Sequence, residues 1–576
     1  MARLLEQTAD LMEIDGSDSF RIRSYRRAAE AVEQTTVDLV SCCDDTPRLL
    51  GIPGIGKGMA ANLQAIAKTG STPLRDELIA KYGAGILELM KLPGMGAKTI
   101  ALFWSAAQIS SIDQLESAID SGKLAELPRM GQKQLSKIKK GIADYRLSSG
   151  RFRIDQAQEA ARRLSAYLLA FPGVERVTPA GSLRRGRDTA GDLDLLVTGS
   201  ACEPGNTSAA AEYVAAYPGI ADLIVSGENK VSFHLADGMQ VDVRLLPSAS
   251  YGAALQYFTG SKHHNVALRQ VALKKGYTLS EWSLARLENN SVVAAETEEE
   301  IYAALGMQWI PPELRENLGE LDAATQATLP RLITEADIIG DLHMHTYETD
   351  GKNSIREMAD AAIECGYQYI AITDHSKNLA MTNGLDEKRA LEHIRRIQEV
   401  DQQMEGRIRV FAGIEVDILG DGALDLDDEV LAQMDIVIAS VHSRFEQPRE
   451  EMTARVLRAI ENPYVRILGH PTGRQILRRE PFSIDLNSVF RRAAELGVAM
   501  EHNAAPARLD LCDRDLRLAR ELGCKIVINT DAHDTHTLGK LSYGIRQLRR
   551  AWLEPTDVLN TLTPDALLAA LRPRPQ

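Results

Sequence analysis

No run in this 576-residue chain approaches the ~20 consecutive apolar residues that a membrane-spanning helix needs. The opening MARLLEQTADLMEI carries acids where a secretory signal is basic and then apolar, so the expected compartment is the cytoplasm. Cysteine is scarce and scattered. Cys42, Cys43, Cys202, Cys365, Cys512 and Cys524 form no Cys-x-x-Cys pair, which excludes a disulfide framework and a thiolate zinc site. An excess of positive charge is missing too, and the net charge of -14, taken alone, argues against a nucleic-acid partner. Its distribution argues otherwise. Residues 129–153 carry eight basic side chains (Arg129, Lys133, Lys137, Lys139, Lys140, Arg146, Arg151 and Arg153) against the one acid Asp144. Such a stripe suits phosphates, with a solvated charged helix as the structural alternative. Residues 415–429 carry seven acids and no base. What remains is the composition of a soluble protein, 44% hydrophobic and 25% charged, long enough for about three or four domains with their own cores.

The chain is organised around AGSLRRGRDTAGDLDLLV, residues 180–197. Asp192 and Asp194 are one residue apart in an apolar run that reads as a strand, so both carboxylates share a face. Two like charges that close call for a cation, and a divalent metal is the simplest one. Upstream, Gly181 and Ser182 with Arg184 and Arg185 offer the N–H groups, hydroxyl and guanidinium forks that a phosphate chain requires. Asp242 in MQVDVRLLP, a second short alternating strand, supplies the third carboxylate of a two-metal site. A solvated strand face is the structural alternative for the Asp-x-Asp alone.

This stretch resembles the palm of family X DNA polymerases, the group that includes DNA polymerase beta. The resemblance implies that Asp192 and Asp194 hold two Mg²⁺ or Mn²⁺ ions and that Asp242 helps activate the primer 3′-hydroxyl. Ser182 and Arg185 would contact the incoming triphosphate, within a nucleotide-binding set of Gly181, Ser182, Arg185, Gly191, Tyr257, Phe258, Gly260 and Asn265. In the residues' own terms, Ile154 to Leu169 reads as a helix, Ala209 to Tyr217 as another, and Lys230 to Leu235 as a strand, giving a small mixed α/β unit. Arg244, on the face of Asp242, is expected to restrain that carboxylate.

The run from Tyr251 extends the resemblance. Tyr257-Phe258-Thr259-Gly260 matches the family turn that lies under the sugar and screens against a ribose 2′-hydroxyl. Asn265 falls where the family reads the minor groove and Arg269 where it contacts the template strand, while Lys262 replaces an acid. His263 and His264 read as solvated or phosphate-facing. From Thr297 the pattern is helical up to Pro311-Pro312, like the end of the family's thumb.

The first 150 residues open with two amphipathic helices, carrying Leu4, Leu5, Leu11 and Ile14, then Ile22, Tyr25, Ala28, Ala29 and Val32. After a break expected at Asp44 to Pro47 comes an internal repeat: LLGIPGIGKGMAANL, LMKLPGMGAKTIALF and, weaker, LAELPRMGQKQLSKI. Each copy reads as a helix end, a Gly-bearing turn and a new helix start, whose bare N–H groups can bind a backbone phosphate regardless of base. The copies resemble helix-hairpin-helix motifs, with Gly54, Gly56, Gly94 and Gly96 as the implied DNA contacts beside Arg269. A purely structural hairpin array is the alternative, and Arg129 replaces the first glycine of the third copy. Asn62 stands where the family's Schiff-base lysine falls and Gly58 where a nearby lysine does. An asparagine cannot form an imine, so the resemblance does not extend to lyase activity, with Lys57 the substitute in principle.

Histidine dominates the second half. GDLHMHT carries His343 and His345 on one face at a strand end, and Asp350 follows. Later strand ends carry His375, Glu415, His442, His470, and Asp531 with His533, and AMEHN adds His502 and Asn503 as neighbours. Repeated strand, ligand-bearing loop and helix is the pattern of a βα barrel with its site at the C-terminal strand ends. With no cysteine in the set, hard or borderline ions such as Mn²⁺ or Zn²⁺ are indicated. The pattern resembles the polymerase and histidinol phosphatase (PHP) domain, a distorted (β/α)7 barrel with a trinuclear site. By that resemblance one ion takes His343, His345, Glu415 and Asp531, a second Glu415, His442 and His470, and a third Asp350, His375 and His533. It implies metal-assisted phosphoester hydrolysis, seen in bacterial family X polymerases as 3′→5′ exonuclease and in some as abasic-site endonuclease and 3′-phosphatase. Arg444, Arg474 and Arg508 are candidate phosphate clamps, and Asp417 to Glu429 reads as a solvated acidic loop.

The expected protein is thus multidomain, α and α/β. Residues 1–80 and 81–150 are helical hairpin domains, 151–250 the palm, 251–317 the thumb, 318–336 a linker with at most one short helix, and 337–576 the barrel. It fills and trims DNA, taking gapped or primer-template DNA and dNTPs as a monomer. Three alternatives stay open: a nuclease or phosphatase whose polymerase half only binds DNA, a polymerase with a structural barrel, and a pair of small-molecule enzymes. Intact Asp192, Asp194 and Asp242 speak against the first, the full ligand set against the second, and the hairpins with Tyr257 to Arg269 against the third.

Overall fold

The computed structural model describes all residues except 36–38, 40–44, 84, 91, 93–94, 121–122, 125–126, 128–129, 149 and 572–576. The chain divides into two units, residues 1–150 with 234–239, and residues 151–233 with 240–576.

The first unit is helical. Ala2–Ile14 and Ser19–Gln34 pack on each other through Leu5, Leu11, Met12 and Ala28, all fully buried. Asp18 caps the second helix, its carboxylate accepting from Phe20 N at 2.9 Å and Arg21 N at 3.0 Å. The expected break at Asp44 to Pro47 differs in its described part. Pro47 lies in the first turn of a short helix, Thr46–Leu50, where a missing N–H costs nothing. In the described residues the helices of the repeat lie where its sequence suggests. Thr46–Leu50 leads through Gly54, at φ +97°, to the helix Lys57–Thr69, and Ile86–Leu89 leads to Ala97–Ala107. The third copy leads to Gln132–Ser148.

In the second unit the helix Ile154–Leu169 spans the residues its periodicity marks. It precedes a five-stranded sheet in the order Arg176–Pro179, Asp192–Thr198, Gln240–Leu245, Lys230–Leu235, Ile220–Ser226. The helix expected over 209–217 runs Thr207–Ala215, and Ile220–Ser226 is an edge strand that the sequence did not announce. Thumb-like helices follow, Tyr251–Thr259 and Lys262–Lys274, with a three-stranded sheet and the helix Glu298–Ala304. Residues 318–336 contain the helix Glu320–Gln326 and add Ala324 and Leu332 to the core built by Leu268, Tyr302, Leu305 and Ile310.

One expectation fails here. His264 is neither solvated nor phosphate-facing but fully buried, its Nδ1 2.6 Å from Glu320 Oε1 and its Nε2 2.9 Å from the Tyr302 hydroxyl. Buried polar groups must be paired, and both ring nitrogens are.

The C-terminal part is a nearly closed parallel barrel. Gly340–Asp341, Tyr369–Ile372, Arg409–Asp417, Ile436–Ser440, Ile467–Leu468, Ala499–Asn503 and Ile526–Asn529 neighbour one another in sequence order, every pair parallel. The ends meet at a bridge between Met344 and Ala532, where His345 N donates to Ala532 O at 2.8 Å. Leu342, Tyr369, Phe411, Ile436, Ile438, Ile467 and Val527 fill the interior. Since all strands run the same way, their carboxyl ends, and the loops the histidines sit on, gather at one mouth.

Candidate active sites

In the first site, Asp194 and Asp242 are direct partners across adjacent parallel strands, and Asp192 lies on the same face two residues before. Gly181, at φ +58°, is required here: a Cβ on it would come within 2.6 Å of Asp194 Oδ2. Burial, then the charges of Asp192 and Asp242, push the Asp194 carboxyl up to about 7. Asp192 is raised too, by partial desolvation and by Asp242. Asp242 goes the other way. Its desolvation is outweighed by the Lys230 ammonium 2.7 Å away, which holds it below the ordinary carboxylate range. Lys230, and not Arg244, therefore restrains Asp242; the Arg244 guanidinium lies 4.1 Å over the Phe258 ring. Arg151 and Arg185 act on Asp192, and Arg244 and Lys230 on Asp194, yet both carboxyls stay raised, which leaves negative charge of the kind a divalent ion neutralises.

The surrounding residues fall as follows. The Ser182 hydroxyl is buried and has no hydrogen-bond partner. Arg185 donates through Nε to Glu316 at 3.1 Å and also bonds Thr259 O. Gly191 directly precedes the Asp192–Thr198 strand. Tyr257 and Phe258 end a helix, rings edge to face at 4.9 Å, and Gly260 caps it at φ +71°. Asn265 donates to Tyr257 O and accepts from Gln256, both at 2.7 Å, and the Arg269 guanidinium lies 5.0 Å over Tyr257. Sequence reasoning left Arg151 in the general basic stripe. It bonds Thr189 Oγ1 and O, both at 2.9 Å, and its charge acts on Asp192. No local pattern marks it, since the contact depends on the fold.

In the helical unit, Gly56 and Gly96 each cap a helix start, and an added Cβ would meet nothing within 4 Å at either. Packing inside the protein does not demand glycine there. Gly54 differs, for its Cβ would touch Ala31 at 3.3 Å. Gly94 and Arg129 lie outside the described residues. Asn62 donates to the Tyr25 hydroxyl at 2.9 Å.

The second site sits at the barrel mouth and brings together all nine residues read from the sequence. Glu415, almost fully buried at the centre, lies 2.8 Å from His375 Nδ1, 3.1 Å from His470 Nε2, 3.3 Å from His442 Nε2, 3.4 Å from His343 Nε2 and 3.7 Å from His345 Nε2. Asp531 is 3.1 Å from His345 Nε2, and Asp350 is 3.6 Å from His375 and 3.5 Å from His533. Three sets converge tightly enough to hold an ion: His345, Asp350, His375 and His533; His343, His345 and Glu415; His375, Glu415 and His442. The donors fit metal. His343 Nε2 and His345 Nδ1 are buried without a hydrogen-bond partner, an arrangement that costs free energy unless an ion takes the lone pairs. Burial and the neighbouring His375 push His345 down to about 4, whereas at His375 burial is outweighed by Glu415 and Asp350 and the ring rises to about 10.

A second ring of partners fixes these ligands. Glu501 Oε1 lies 2.7 Å from His343 Nδ1, Asp417 Oδ1 lies 2.7 Å from His442 Nδ1, and Asn503 donates to Asp531 at 3.0 Å. Asp374 accepts from Thr346 N at 2.8 Å and lies 2.9 Å from His393 Nε2, securing the loop between His345 and Asp350. Two readings are corrected. Asp417 and Asp425 of the supposed solvated loop are buried, whereas Asp421, Asp427, Asp428 and Glu429 are exposed. Arg474 is no clamp, being tied to Arg508 O and Leu509 O and, at 3.1 Å, to Asp188. Arg508 stays at the mouth, 3.7 Å from Asp531, and Arg444 is exposed in its loop. His502 is buried against Leu511 O and stands apart from the three converging sets.

Residues 1–72 match the family model for a helix-hairpin-helix domain, 86–144 that for a SAM-like helix-hairpin-helix tandem, 254–316 that for a DNA polymerase beta thumb, and 341–480 that for a PHP domain. The DNA polymerase/3'-5' exonuclease PolX of Bacillus subtilis is 38% identical over 560 residues, 97% of this chain and 96% of that protein. The chain belongs to the bacterial family X DNA polymerases with a PHP domain. Part of it is similar to shorter proteins as well. A "probable phosphatase" of Thermoanaerobacter sp. (strain X514) is 30% identical over 235 residues, 39% of this chain and 91% of that protein. One of Caldanaerobacter subterraneus is 30% identical over 235 residues and covered to 87%. The family places a polymerase and a hydrolase on one chain, and no helix among the described residues is long and apolar enough to cross a membrane.

Proposed function

We propose that this protein fills short gaps in DNA by two-metal nucleotidyl transfer and trims 3′ ends by metal-dependent hydrolysis in the barrel, with abasic-site endonuclease and 3′-phosphatase action as related chemistry. The reading is supported by two separate clusters of metal-ligand residue types on one chain, the Asp192, Asp194 and Asp242 face and the nine residues gathered around Glu415, seven of which fall in sets close enough to hold an ion. Residues 1–80 and 81–150 grip the DNA backbone, 151–250 form the palm, 251–317 the thumb, 318–336 join thumb to barrel, and 337–576 form the hydrolase.

In the polymerase site Asp192 and Asp194 hold Mg²⁺ or Mn²⁺, and Asp242, kept ionised by Lys230, accepts the proton of the primer 3′-hydroxyl. Gly181, Ser182, Arg185 and Gly191 line the triphosphate, and the unpartnered Ser182 hydroxyl is a donor waiting for an anion. Tyr257, Phe258 and Gly260 form the floor under the sugar. Asn265 reads the minor groove, and Arg269 contacts the template strand. Gly54, Gly56, Gly94 and Gly96 offer backbone N–H groups to phosphates without regard to sequence.

In the barrel, His343, His345, Asp350, His375, Glu415, His442, His470, Asp531 and His533 hold three ions, Mn²⁺ or Zn²⁺ by their nitrogen and oxygen donors. When bound, those ions supply Lewis acidity toward phosphorus and activate water. Glu415 would be one of the residues holding the ions, the Glu501 and Asp417 carboxylates orient His343 and His442, and Arg508 would neutralise the phosphate at the mouth. The substrates are gapped or primer-template DNA, abasic or 3′-blocked ends, and dNTPs, met by a monomer in the cytoplasm of a bacterium.

The test is a one-nucleotide gapped duplex labelled at the primer 5′ end, incubated with Mg²⁺ or Mn²⁺, with and without dNTPs. Asp192→Ala with Asp194→Ala is expected to abolish extension and keep shortening, and Glu415→Ala to do the reverse. A protein that shortens but never extends is a nuclease with a DNA-gripping half. One that never shortens, even with single-stranded or 3′-phosphate ends, has a barrel with another substrate.

A further inference from the structure

The loop that carries Ser182 and Arg185 is fastened to the barrel. Arg550, which ends the helix Leu541–Arg550, donates to Arg185 O at 2.9 Å, and Gln547 of the same helix donates to Gly186 O at 2.6 Å. Gly186, at φ +69°, leaves no room for a side chain, since a Cβ would lie 2.9 Å from Arg546 Cβ. Arg474 reaches Asp188 at 3.1 Å.

The side chains are joined as tightly. Glu316 Oε1 accepts from Arg185 Nε at 3.1 Å and from Arg550 at 2.9 Å, and Arg187 lies 4.0 Å away. Arg550 is buried, and its guanidinium also pairs with Asp513 at 2.7 Å. Glu316 thus supplies one negative charge to two guanidinium groups at once. With Arg187 counted, three guanidinium groups face the two carboxylates Glu316 and Asp513, which leaves cationic character to spare beside Arg185. Gly260 adds a steric limit, because a Cβ there would lie 3.0 Å from an Arg185 terminal nitrogen.

We infer that the barrel completes the nucleotide site of the polymerase half. Arg550 is a positioning residue that holds the Arg185 carbonyl and draws on Glu316, so that the Arg185 guanidinium keeps charge for the triphosphate of an incoming dNTP. The inference rests on the reading that this loop binds that triphosphate. Arg550 touches neither substrate nor metal; it acts through Glu316 and Arg185. The hydrolase barrel is then a structural part of the polymerase and not a detachable appendage.

The full-length protein is tested as Arg550→Met, Arg550→Lys and the double variant Glu316→Gln with Arg550→Met. One readout is KM and kcat on a one-nucleotide gap. The other is the Kd of a fluorescent dNTP with Mg²⁺ on the same gap with a dideoxy primer end, which needs no turnover. Arg550→Met is expected to raise KM and Kd about tenfold while kcat stays within about threefold. The double variant brings both back to within about threefold of the unaltered protein, because Glu316 is no longer there to claim Arg185 alone. Arg550→Lys, which keeps a charge on Glu316 but loses the fork, raises KM about threefold and carries the test should Arg550→Met not fold. Unchanged KM and Kd in the single variants overturn the inference, as does a double variant no better than Arg550→Met. A protein that shows this binding pattern yet never extends a primer refutes the polymerase reading and leaves the role of Arg550 standing. One that binds no dNTP refutes both.

Discussion

The Asp417 carboxylate lies 2.7 Å from His442 Nδ1 and is itself buried, so the imidazole presents Nε2 to Glu415 in one fixed orientation. An amide in place of this carboxylate keeps the shape and removes the charge. Asp417→Asn is expected to lower barrel metal content or hydrolysis by about 10- to 100-fold. Metal analysis after dialysis, with primer shortening assayed in parallel, checks this, and gap filling by the same variant should be unaffected.

The Asp194 carboxyl, pushed up to about 7, is largely protonated in mildly acidic solution before any ion arrives. An ion must displace that proton, so affinity at the aspartate face should fall about tenfold for each pH unit below about 7 and level off above it. Titration calorimetry in buffers of different ionisation enthalpy should show about one more proton released near pH 6 by the unaltered protein than by Asp194→Asn, beyond those that the barrel histidines release in both. That difference separates this site from the barrel.

Lys230 gives a third expectation. Its ammonium holds Asp242 below the ordinary carboxylate range against the pull of burial. In Lys230→Met the Asp242 pKa rises, and the acid limb of the extension pH profile moves to higher pH. The rate at alkaline pH changes less, because Asp242 is ionised there in both proteins. A profile that keeps its acid limb would show that another group governs it.

What the sequence displays is what depends on neighbours along the chain. Period two places Asp192 and Asp194 on one face, and the 3.6 period marks Ile154–Leu169 to the residue. The nine residues at the barrel mouth are legible because parallel strands gather their carboxyl ends, so a ligand type at most of those ends has one place to go, His502 being the exception. The misses depend on distance. Lys230 meets Asp242 only through the sheet order, and His264 finds Glu320 56 positions later. Asp417 looks like one more acid in an acidic run, yet its strand carries it inward while Asp427 and Asp428 stay in water. Arg474 shares a loop position with Arg508 in sequence logic, and only the approach of Asp188 makes it a strut.

Glu298 is a test of the thumb's polar core. It is almost fully buried, with Arg315 at 2.5 Å and Arg184 at 2.8 Å, and the Trp309 indole donates to it at 3.1 Å. Burial alone would raise its pKa; the two guanidinium groups outweigh it and bring the carboxyl to about 2. Because the folded pKa lies below the ordinary 4.5, the pair stabilises fully above that value and the contribution is lost as pH falls from about 4.5 toward about 2. Glu298→Gln at neutral pH leaves two guanidinium groups without their carboxylate, at a cost of about 3–5 kcal/mol to the local fold. Hydrogen exchange resolved to peptides over residues 251–317 isolates that element from the rest of a multidomain chain. Those amides should exchange faster in the variant at neutral pH, and the gap between variant and unaltered protein should narrow in acid. A gap that persists unchanged near pH 2 would mean that the packing of Glu298, and not its charge, stabilises the thumb.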